Sequence, residues 1–444
     1  MQTITRTLVP KVARLGLRAL SVGMLVAGAL VSLGLNIAYA DADDAENTLL
    51  IWAGDQAHQA PDFIAVVNFN DDSPTYGTVL QTVPLPGPGA IGNEPHHIGL
   101  SADKRTLALG GLLSILRNQD QVFFFDVSHP RHPQFIRSDN PSLYASITDE
   151  FHALRHGGFL TTFMGGPGGA QPGRVIEYDA QQNLVQAWPL SLPSDGFNPH
   201  GIAINEAHNL MVTSDFICPL HTLHVPGGNG VLLRGSVRVW DLAHRSITRT
   251  ITVGDPAQPA GTIDVQLIPH DRRHRAFTAG MADNKLYLID TEHGTATPVF
   301  DFATFAIPNV QVIWPQLLRI THDGRRLFIP LNYAGFAGKI VMFDIARPEQ
   351  PQVLSVIDLG PGSGPHYLRL TQNERRLVVS DYSLVEDLAP GGVVIAEGDH
   401  KIHVIHVGHH HMALDPRFNL DFNRDISTGA ARPHGLVTLR AGHN

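Results

Sequence analysis

The stretch Pro95-His96-His97-Ile98-Gly99-Leu100 decides the fold, because its pattern returns along the chain. It is an apolar strand that opens with Pro-His and is followed by a polar turn, Ala102-Asp103-Lys104-Arg105. Clear copies begin at Pro199-His200 and Pro365-His366. A unit that recurs in this way, with further apolar strands inside it, is typical of the blades of a β-propeller.

Weaker copies lie between these three and after the last of them. Gln316 and Asp264 take the histidine position in two of them, and the segments around His152 and His434 are looser still. A later strand of the unit ends in Asp in four places, at residues 122–126, 237–241, 286–290 and 340–344. A unit of about 50 to 70 residues predicts an all-β, seven-bladed β-propeller, and six to eight blades are compatible with this spacing.

The two ends of the repeat region are strand-like but incomplete. Residues 49–53 and the segment around His434 each resemble part of one blade. We therefore expect strands from both termini to form a single closing blade, which removes the exposed sheet edges. No long low-complexity linker interrupts residues 41–444, so this region is predicted to be one propeller domain.

The first forty residues differ from the rest. Basic residues between Arg6 and Arg18 precede an apolar run over 20–35, which ends in Ala38-Tyr39-Ala40. This order predicts a signal peptide, residues 1–40, with cleavage after Ala40 and export to the periplasm or the medium; a retained membrane anchor is the alternative. Later apolar runs are too short to span a membrane, so we expect no membrane span in the mature chain.

Composition excludes some classes of function. The formal net charge is −9 and basic residues form no long run, which argues against a nucleic-acid partner. Cys218 is the single cysteine, so neither an internal disulfide nor a thiolate cluster can form within one chain. The 25 histidines are the main chemical signal, because neutral imidazole binds copper, zinc and iron.

The blade pattern predicts that some of these histidines meet. The first strand of each propeller blade lines the central channel, so residues that open equivalent strands converge at one mouth of that channel. We expect five of them to be metal ligands: His96, His152, His200, His366 and His434. The alternative interpretation is structural, with Pro-His turn residues that hydrogen-bond to blade carbonyls or channel water.

Further residues are second-rank candidates for the same site. His97 adjoins His96, but in a regular strand its side chain points to the opposite face, so we rank it lower. His156 lies near His152, whereas Asp264 and Gln316 take the histidine position of weaker repeats. Cys218 is either a small buried apolar residue or an accessory thiolate ligand. We expect no specific role for His409-His410-His411.

Several segments together resemble one known family: His96-His97-Ile98-Gly99, the segment around His152, Val237-Arg238-Val239-Trp240-Asp241, 370–377, 414–422 and Pro433-His434. They resemble the selenium-binding protein family, whose bacterial members include methanethiol oxidases, and the resemblance covers most of the mature chain. Two departures stand out. Ser101 and Ala102 lie where the family has a cysteine pair after the His-His motif, and Gly435-Leu436-Val437 replaces its C-terminal cysteine segment.

The resemblance implies a seven-bladed propeller and a copper enzyme. In periplasmic members that enzyme converts methanethiol, with oxygen and water, to formaldehyde, hydrogen sulfide and hydrogen peroxide. Three hypotheses follow: a copper-dependent oxidase of a small thiol, a propeller that binds metal or a partner protein without turnover, and a different chemistry on the same histidines, such as iron-dependent oxygenation.

Overall fold

The chain folds as a β-propeller. A computed structural model describes residues 46–222, 232–310, 313–381, 384–386, 393–395 and 397–441, and within these ranges the strands form seven blades. The sequence prediction of an all-β, seven-bladed propeller is confirmed. The predicted signal peptide, residues 1–40, lies outside the described residues. No helix in the described part is long and apolar enough to cross a membrane.

Each blade is an antiparallel sheet whose first-named strand lies at the channel. From the inside outward the strands are, in blade 1, Pro95–Leu100, Thr106–Gly111, Val122–Asp126 and Gln134–Asp139; in blade 2, Ser146–Ala153, Phe159–Gly165, Arg174–Tyr178 and Leu184–Trp188; in blade 3, Pro199–Asn205, Leu210–Ile217, Leu233–Asp241 and Ser246–Thr252; and in blade 4, Thr262–Leu267, Ala276–Gly280, Lys285–Asp290 and Thr295–Asp301.

The remaining blades are less regular. Blade 5 has Trp314–Pro315 and Arg319–Ile320 innermost, then Arg326–Asn332, Ala337–Asp344 and Gln352–Pro361; blade 6 has Pro365–Leu370, Arg376–Asp381 and Lys401–Val407, with Met412–Leu414 and Leu420–Asp421 sharing the outer position; blade 7 has Ala431–Leu439, Thr48–Asp55, Phe63–Asn68 and Val79–Pro84. Blade 7 therefore combines both ends of the chain, as the sequence predicts.

Short elements connect the blades. Two small hairpins pair Gly254–Asp255 with Gln258–Pro259 and Leu384–Glu386 with Val393–Ile395. The described helices are a single α-helical turn, Pro219–Thr222, and the 3-10 turns Ser114–Arg117, Pro167–Gly169, Glu206–His208 and Phe302–Phe305. Each of these helices has three or four residues, so strands make up nearly all of the regular secondary structure in the described part of the chain.

Apolar side chains between adjacent blades form the core. The strand Thr48–Asp55 of blade 7 is buried along its whole length, as expected for a strand covered on both faces. Trp52 is fully buried, and its Nε1 donates a hydrogen bond of 2.8 Å to the Gly110 carbonyl of blade 1. This contact joins the closing blade to blade 1, beside the residues that form the candidate site.

The inner strands share an irregular start. Ladder pairing is interrupted between Pro95 and Ile98 in blade 1, and at the same place in the inner strands of blades 2, 3, 4 and 6. Such a bulge breaks the alternation of side chains between the two faces of the strand. Consecutive residues at the strand start can therefore point to the same place.

Candidate metal centre

Four imidazoles meet where the inner strands of blades 1, 6 and 7 begin. They belong to His96, His97, His366 and His434, and each of these residues is at most 3% exposed. One ring nitrogen from each lies within 4.8 Å of one from every other member. We call this group the histidine cluster.

Backbone shape brings His97 into the cluster. The rings of His96 and His97 stack with their centroids 4.2 Å apart and an interplanar angle of 8°. The bulge between Pro95 and Ile98 explains this arrangement, because a regular strand would direct the two side chains to opposite faces. The lower rank given to His97 assumed a regular strand, and the geometry places both residues at the cluster.

Glycine next to histidine permits this crowding. Gly435 follows His434, and a Cβ on it would lie 2.5 Å from the His96 carbonyl oxygen. Gly201 follows His200, and a Cβ there would lie 2.5 Å from an Asp264 carboxylate oxygen. A Pro-His-Gly strand start therefore lets neighbouring inner strands approach more closely than any side chain would allow.

A buried carboxylate connects His200 to the cluster. Asp149 is fully buried, and its Oδ2 lies 3.2 Å from His200 Nε2 and 3.7 Å from His96 Nε2. Its Oδ1 lies 2.9 Å from His97 Nδ1. Three imidazoles thus surround one aspartate. His200 is not part of the four-histidine group but shares Asp149 with it.

Asp149 holds the place in blade 2 that the sequence assigned to His152. The ladder of the inner strand is interrupted between Thr148 and Phe151, so the bulge falls on Asp149 and Glu150. His152 lies beyond the bulge. It belongs to none of the metal-ligand groups of the described residues, that is, sets of three or more His, Cys, Asp or Glu residues whose ligand atoms all lie within 4.8 Å of one another. Burial lowers its pKa to about 4. His156 is exposed and is not in those groups either. The blade 2 repeat lacks Pro-His, which is why alignment by histidine selected the wrong register.

The other second-rank residues have distinct positions. Gln316 is buried and its Oε1 accepts a hydrogen bond of 2.8 Å from His366 Nδ1, so it orients a cluster histidine. Asp264 accepts hydrogen bonds from the backbone N–H of Leu318 and Val265, at 2.8 and 2.7 Å. Cys218 is fully buried, belongs to none of the metal-ligand groups found in the described residues, and has its thiol pKa raised by burial.

Electrostatics divides the cluster into two kinds of imidazole. Burial, together with the neighbouring histidines, lowers the pKa of His96, His366 and His434 well below the usual value, so these rings are neutral at pH 7. Burial also lowers the pKa of His97, but Asp149 and Glu150 outweigh it and raise that pKa to about 9. Without a metal ion, His97 is the cluster member that carries a proton.

A second layer of charge lies behind His97. Glu150 Oε2 is 2.8 Å from His97 Nδ1, and its Oε1 is 3.8 Å from an Arg319 Nη2. The guanidinium of Arg319 lies 5.4 Å from the ring centroid of Tyr367, whose hydroxyl donates to the Ile98 carbonyl at 3.1 Å. Sequence reasoning missed Asp149, Glu150 and Arg319. The one signal was the pair of adjacent carboxylates, Asp149 and Glu150, inside the innermost strand of a blade.

The donor set is suited to a transition metal. Three neutral imidazoles and a fourth that can lose its proton converge in a buried space, with Gln316 and Asp149 orienting two of them. Imidazole nitrogen suits copper, zinc, nickel and iron, whereas magnesium and calcium require oxygen ligands. The fold and site together define a β-propeller with a buried, histidine-rich candidate metal centre at its channel mouth.

Comparison with known proteins identifies the family. Residues 37–442 match the family described as 56kDa selenium binding protein (SBP56), and the chain belongs to that family. It is 22% identical to selenium-binding protein 2 of Mus musculus, over 85% of this chain and 89% of that one. It is 23% identical to methanethiol oxidase of Bos taurus, with the same shares covered.

A solved structure supports the fold. The X-ray structure of a hypothetical selenium-binding protein from Sulfolobus tokodaii has a TM-score of 0.70 with this chain. It is 17% identical in sequence, and the match covers 89% of this chain and 94% of that one. The family match confirms the resemblance inferred from the sequence. Distant relatives of this chain carry the names methanethiol oxidase and selenium-binding protein.

Proposed function

We propose that this protein is a copper-dependent oxidase of a small thiol such as methanethiol, exported to the periplasm. The reaction consumes methanethiol, oxygen and water and yields formaldehyde, hydrogen sulfide and hydrogen peroxide. Its atoms balance: one carbon, one sulfur, six hydrogens and three oxygens appear on each side. The observation that carries the proposal is the buried cluster of His96, His97, His366 and His434.

The cluster residues would hold the ion through nitrogen. His96, His366 and His434 already present neutral rings, because burial and mutual repulsion disfavour their protonated forms. Nδ1 of His366 faces Gln316 Oε1, which leaves Nε2 to face the cluster. Bound copper would supply a one-electron redox couple and an affinity for thiolate sulfur, neither of which imidazole alone provides.

His97 is the cluster histidine that carries a proton before metal binds and must release it from Nε2 on binding. Its Nδ1 faces the carboxylates of Asp149 and Glu150, and its Nε2 lies 3.0 Å from His366 Nε2. A protonated His97 donates to His366 across this distance. Metal binding must displace the Nε2 proton, because only a ring nitrogen without a proton can be a ligand. Asp149 then keeps Nδ1 protonated and the ring oriented.

A small pocket adjoins the cluster between blades 7 and 1. It is lined by His434 together with Gly54, Asp55, His58, Glu94 and Arg432, among others. Its position beside a cluster histidine suits a small substrate better than a large one. The lining carries charged groups of both signs, because Asp55 and Glu94 accompany Arg432, and His58 Nε2 lies 3.4 Å from Glu94 Oε2.

Metal content and oxygen uptake together test the proposal. The protein should be purified without a histidine tag from a periplasmic fraction, analysed for metals, and supplied with methanethiol in an oxygen electrode. We expect copper, oxygen uptake and equal release of hydrogen peroxide. Zinc alone, or copper-loaded protein that leaves methanethiol untouched, would favour a metal-binding propeller without turnover. Iron with oxygen uptake would favour the oxygenation chemistry.

A further inference from the structure

Blade 3 contains a buried ion pair that provides a reference for blade 6. Asp215 lies in the second strand of blade 3, Leu210–Ile217, and is fully buried. Arg238 Nε donates a hydrogen bond of 2.6 Å to its Oδ2. Arg238 Nη1 also lies 3.0 Å from Asp195 Oδ2. One guanidinium therefore neutralises two carboxylates. A buried carboxylate without such a partner is costly.

Blade 6 has the same backbone positions with different side chains. Pro199 pairs with Asp215 in blade 3, and Pro365 pairs with Asp381 in blade 6. Two residues before each aspartate, the ladder pairs Thr213 with Arg238 and Val379 with His403. His403 therefore occupies the register position of Arg238, and Asp381 that of Asp215.

The shorter histidine leaves two carboxylates without a fixed cation between them. Asp381 is 1% exposed, and Asp399 joins it through a hydrogen bond of 2.6 Å from its backbone N–H to Asp381 Oδ2. His403 Nε2 is buried 3.5 Å from Asp399 Oδ2 and makes no hydrogen bond to any described atom. The nearest lysine, Lys401, lies 3.4 Å from the same oxygen, but its side chain is 43% exposed.

The loop is built to hold this arrangement. A Cβ on Gly398 would lie 2.2 Å from Asp381 Oδ2, so only glycine lets the chain pass this close to the carboxylate. Asp381 Oδ1 accepts a hydrogen bond from the Gly364 N–H at 3.1 Å. Each carboxylate retains free lone pairs. One ligand atom from each of Asp381, Asp399 and His403 lies within 4.8 Å of the others.

We propose that Asp381, Asp399 and His403 form a second metal site, which binds a divalent cation where blade 3 places the guanidinium of Arg238. Two carboxylates and one imidazole suit a cation that accepts both oxygen and nitrogen, such as Mn²⁺ or Zn²⁺. The site lies outside the histidine cluster and does not depend on the oxidase proposal. Its cation would fix the chain around Gly398 to blade 6.

Mn²⁺ binding tests the second site directly. Chelator-treated mature protein would be titrated with Mn²⁺, and free Mn²⁺ followed by electron paramagnetic resonance. We expect the wild type and His434→Ala to bind Mn²⁺, and Asp399→Asn to bind it more than about tenfold more weakly. His403→Arg rebuilds the blade 3 ion pair, so it should remain folded and lose Mn²⁺ binding. Mn²⁺ should raise the Tm of the wild type but not of His403→Arg.

Different results would overturn the site. They are an absence of Mn²⁺ binding by the wild type, binding that His403→Arg and Asp399→Asn both leave unchanged, or binding that only His434→Ala removes. Circular dichroism of each variant separates a lost ligand from a lost fold.

Discussion

Nε2 of His97 lies 3.0 Å from Nε2 of His366, although 269 residues separate the two in sequence. Pairing of this kind requires the ring of blades to close, since His97 belongs to blade 1 and His366 to blade 6, with the composite blade 7 between them. The candidate centre thus lies beside the blade in which strand Thr48–Asp55 pairs with strand Ala431–Leu439.

Removing a cluster histidine should remove metal. His434→Ala deletes one imidazole of the four, and we expect at least about a tenfold loss of metal affinity with little change in fold, because the ring contributes more to the site than to blade packing. His410→Ala is the matched control, because His410 is exposed and outside the described ligand groups. Metal analysis after dialysis measures both. Equal metal content in the two variants would count against the cluster.

Blade 2 offers a test of the observed register. Asp149→Asn removes the carboxylate charge that orients His97 and His200, and it should weaken metal binding by about tenfold or more. His152→Ala, three residues further on, should leave metal affinity within about twofold of the wild type. Isothermal titration with the same metal compares them. The opposite ranking would support the register that histidine alignment selects.

Gln316 should act as a positioning residue. Gln316→Leu removes the acceptor for His366 Nδ1, so the ring can rotate and the metal affinity should fall by about 10- to 100-fold. Gln316→Glu keeps an acceptor at that place and should restore most of the affinity. A packing defect would weaken metal binding in both variants, whereas loss of the hydrogen-bond acceptor weakens it only in Gln316→Leu. Recovery of affinity in Gln316→Glu therefore separates the two explanations. Equal losses in both variants would contradict the role.

Asp62, in blade 7, should make stability depend on pH. Burial raises the pKa of this carboxyl to about 7, despite hydrogen bonds from the backbone and side chain of Asn93. The folded state thus binds a proton that the unfolded chain releases near pH 4, and stability falls as pH rises from about 4 to 7. Asp62→Asn should remove this fall, gaining on the order of 2 kcal/mol at pH 8 relative to pH 5. Urea unfolding at both pH values measures it; parallel pH profiles would refute it.

The sequence predicted the fold more completely than the site. Pro-His strand starts occur in blades 1, 3, 6 and 7, and the Asp-ending strands identified in the sequence fall in blades 1, 3, 4 and 5. The two patterns together reach six of the seven blades, so the propeller and its closure could be predicted from local patterns. His97 was ranked below His96 on the assumption of a regular strand, whereas a bulge with no signature in Pro95-His96-His97-Ile98 directs both side chains to the cluster. Asp149 escaped notice because its role arises only from three blades meeting around it. Bulges and long-range contacts of this kind cannot be deduced from residue spacing alone.

Anomalous diffraction at the copper absorption edge, from crystals of untagged protein loaded with copper, tests the central claim most directly. We predict one strong peak among the ring nitrogens of His96, His97, His366 and His434. Absence of a peak at the histidine cluster in fully loaded protein, whether or not copper is found elsewhere in the molecule, would contradict the assignment of that cluster as the metal centre.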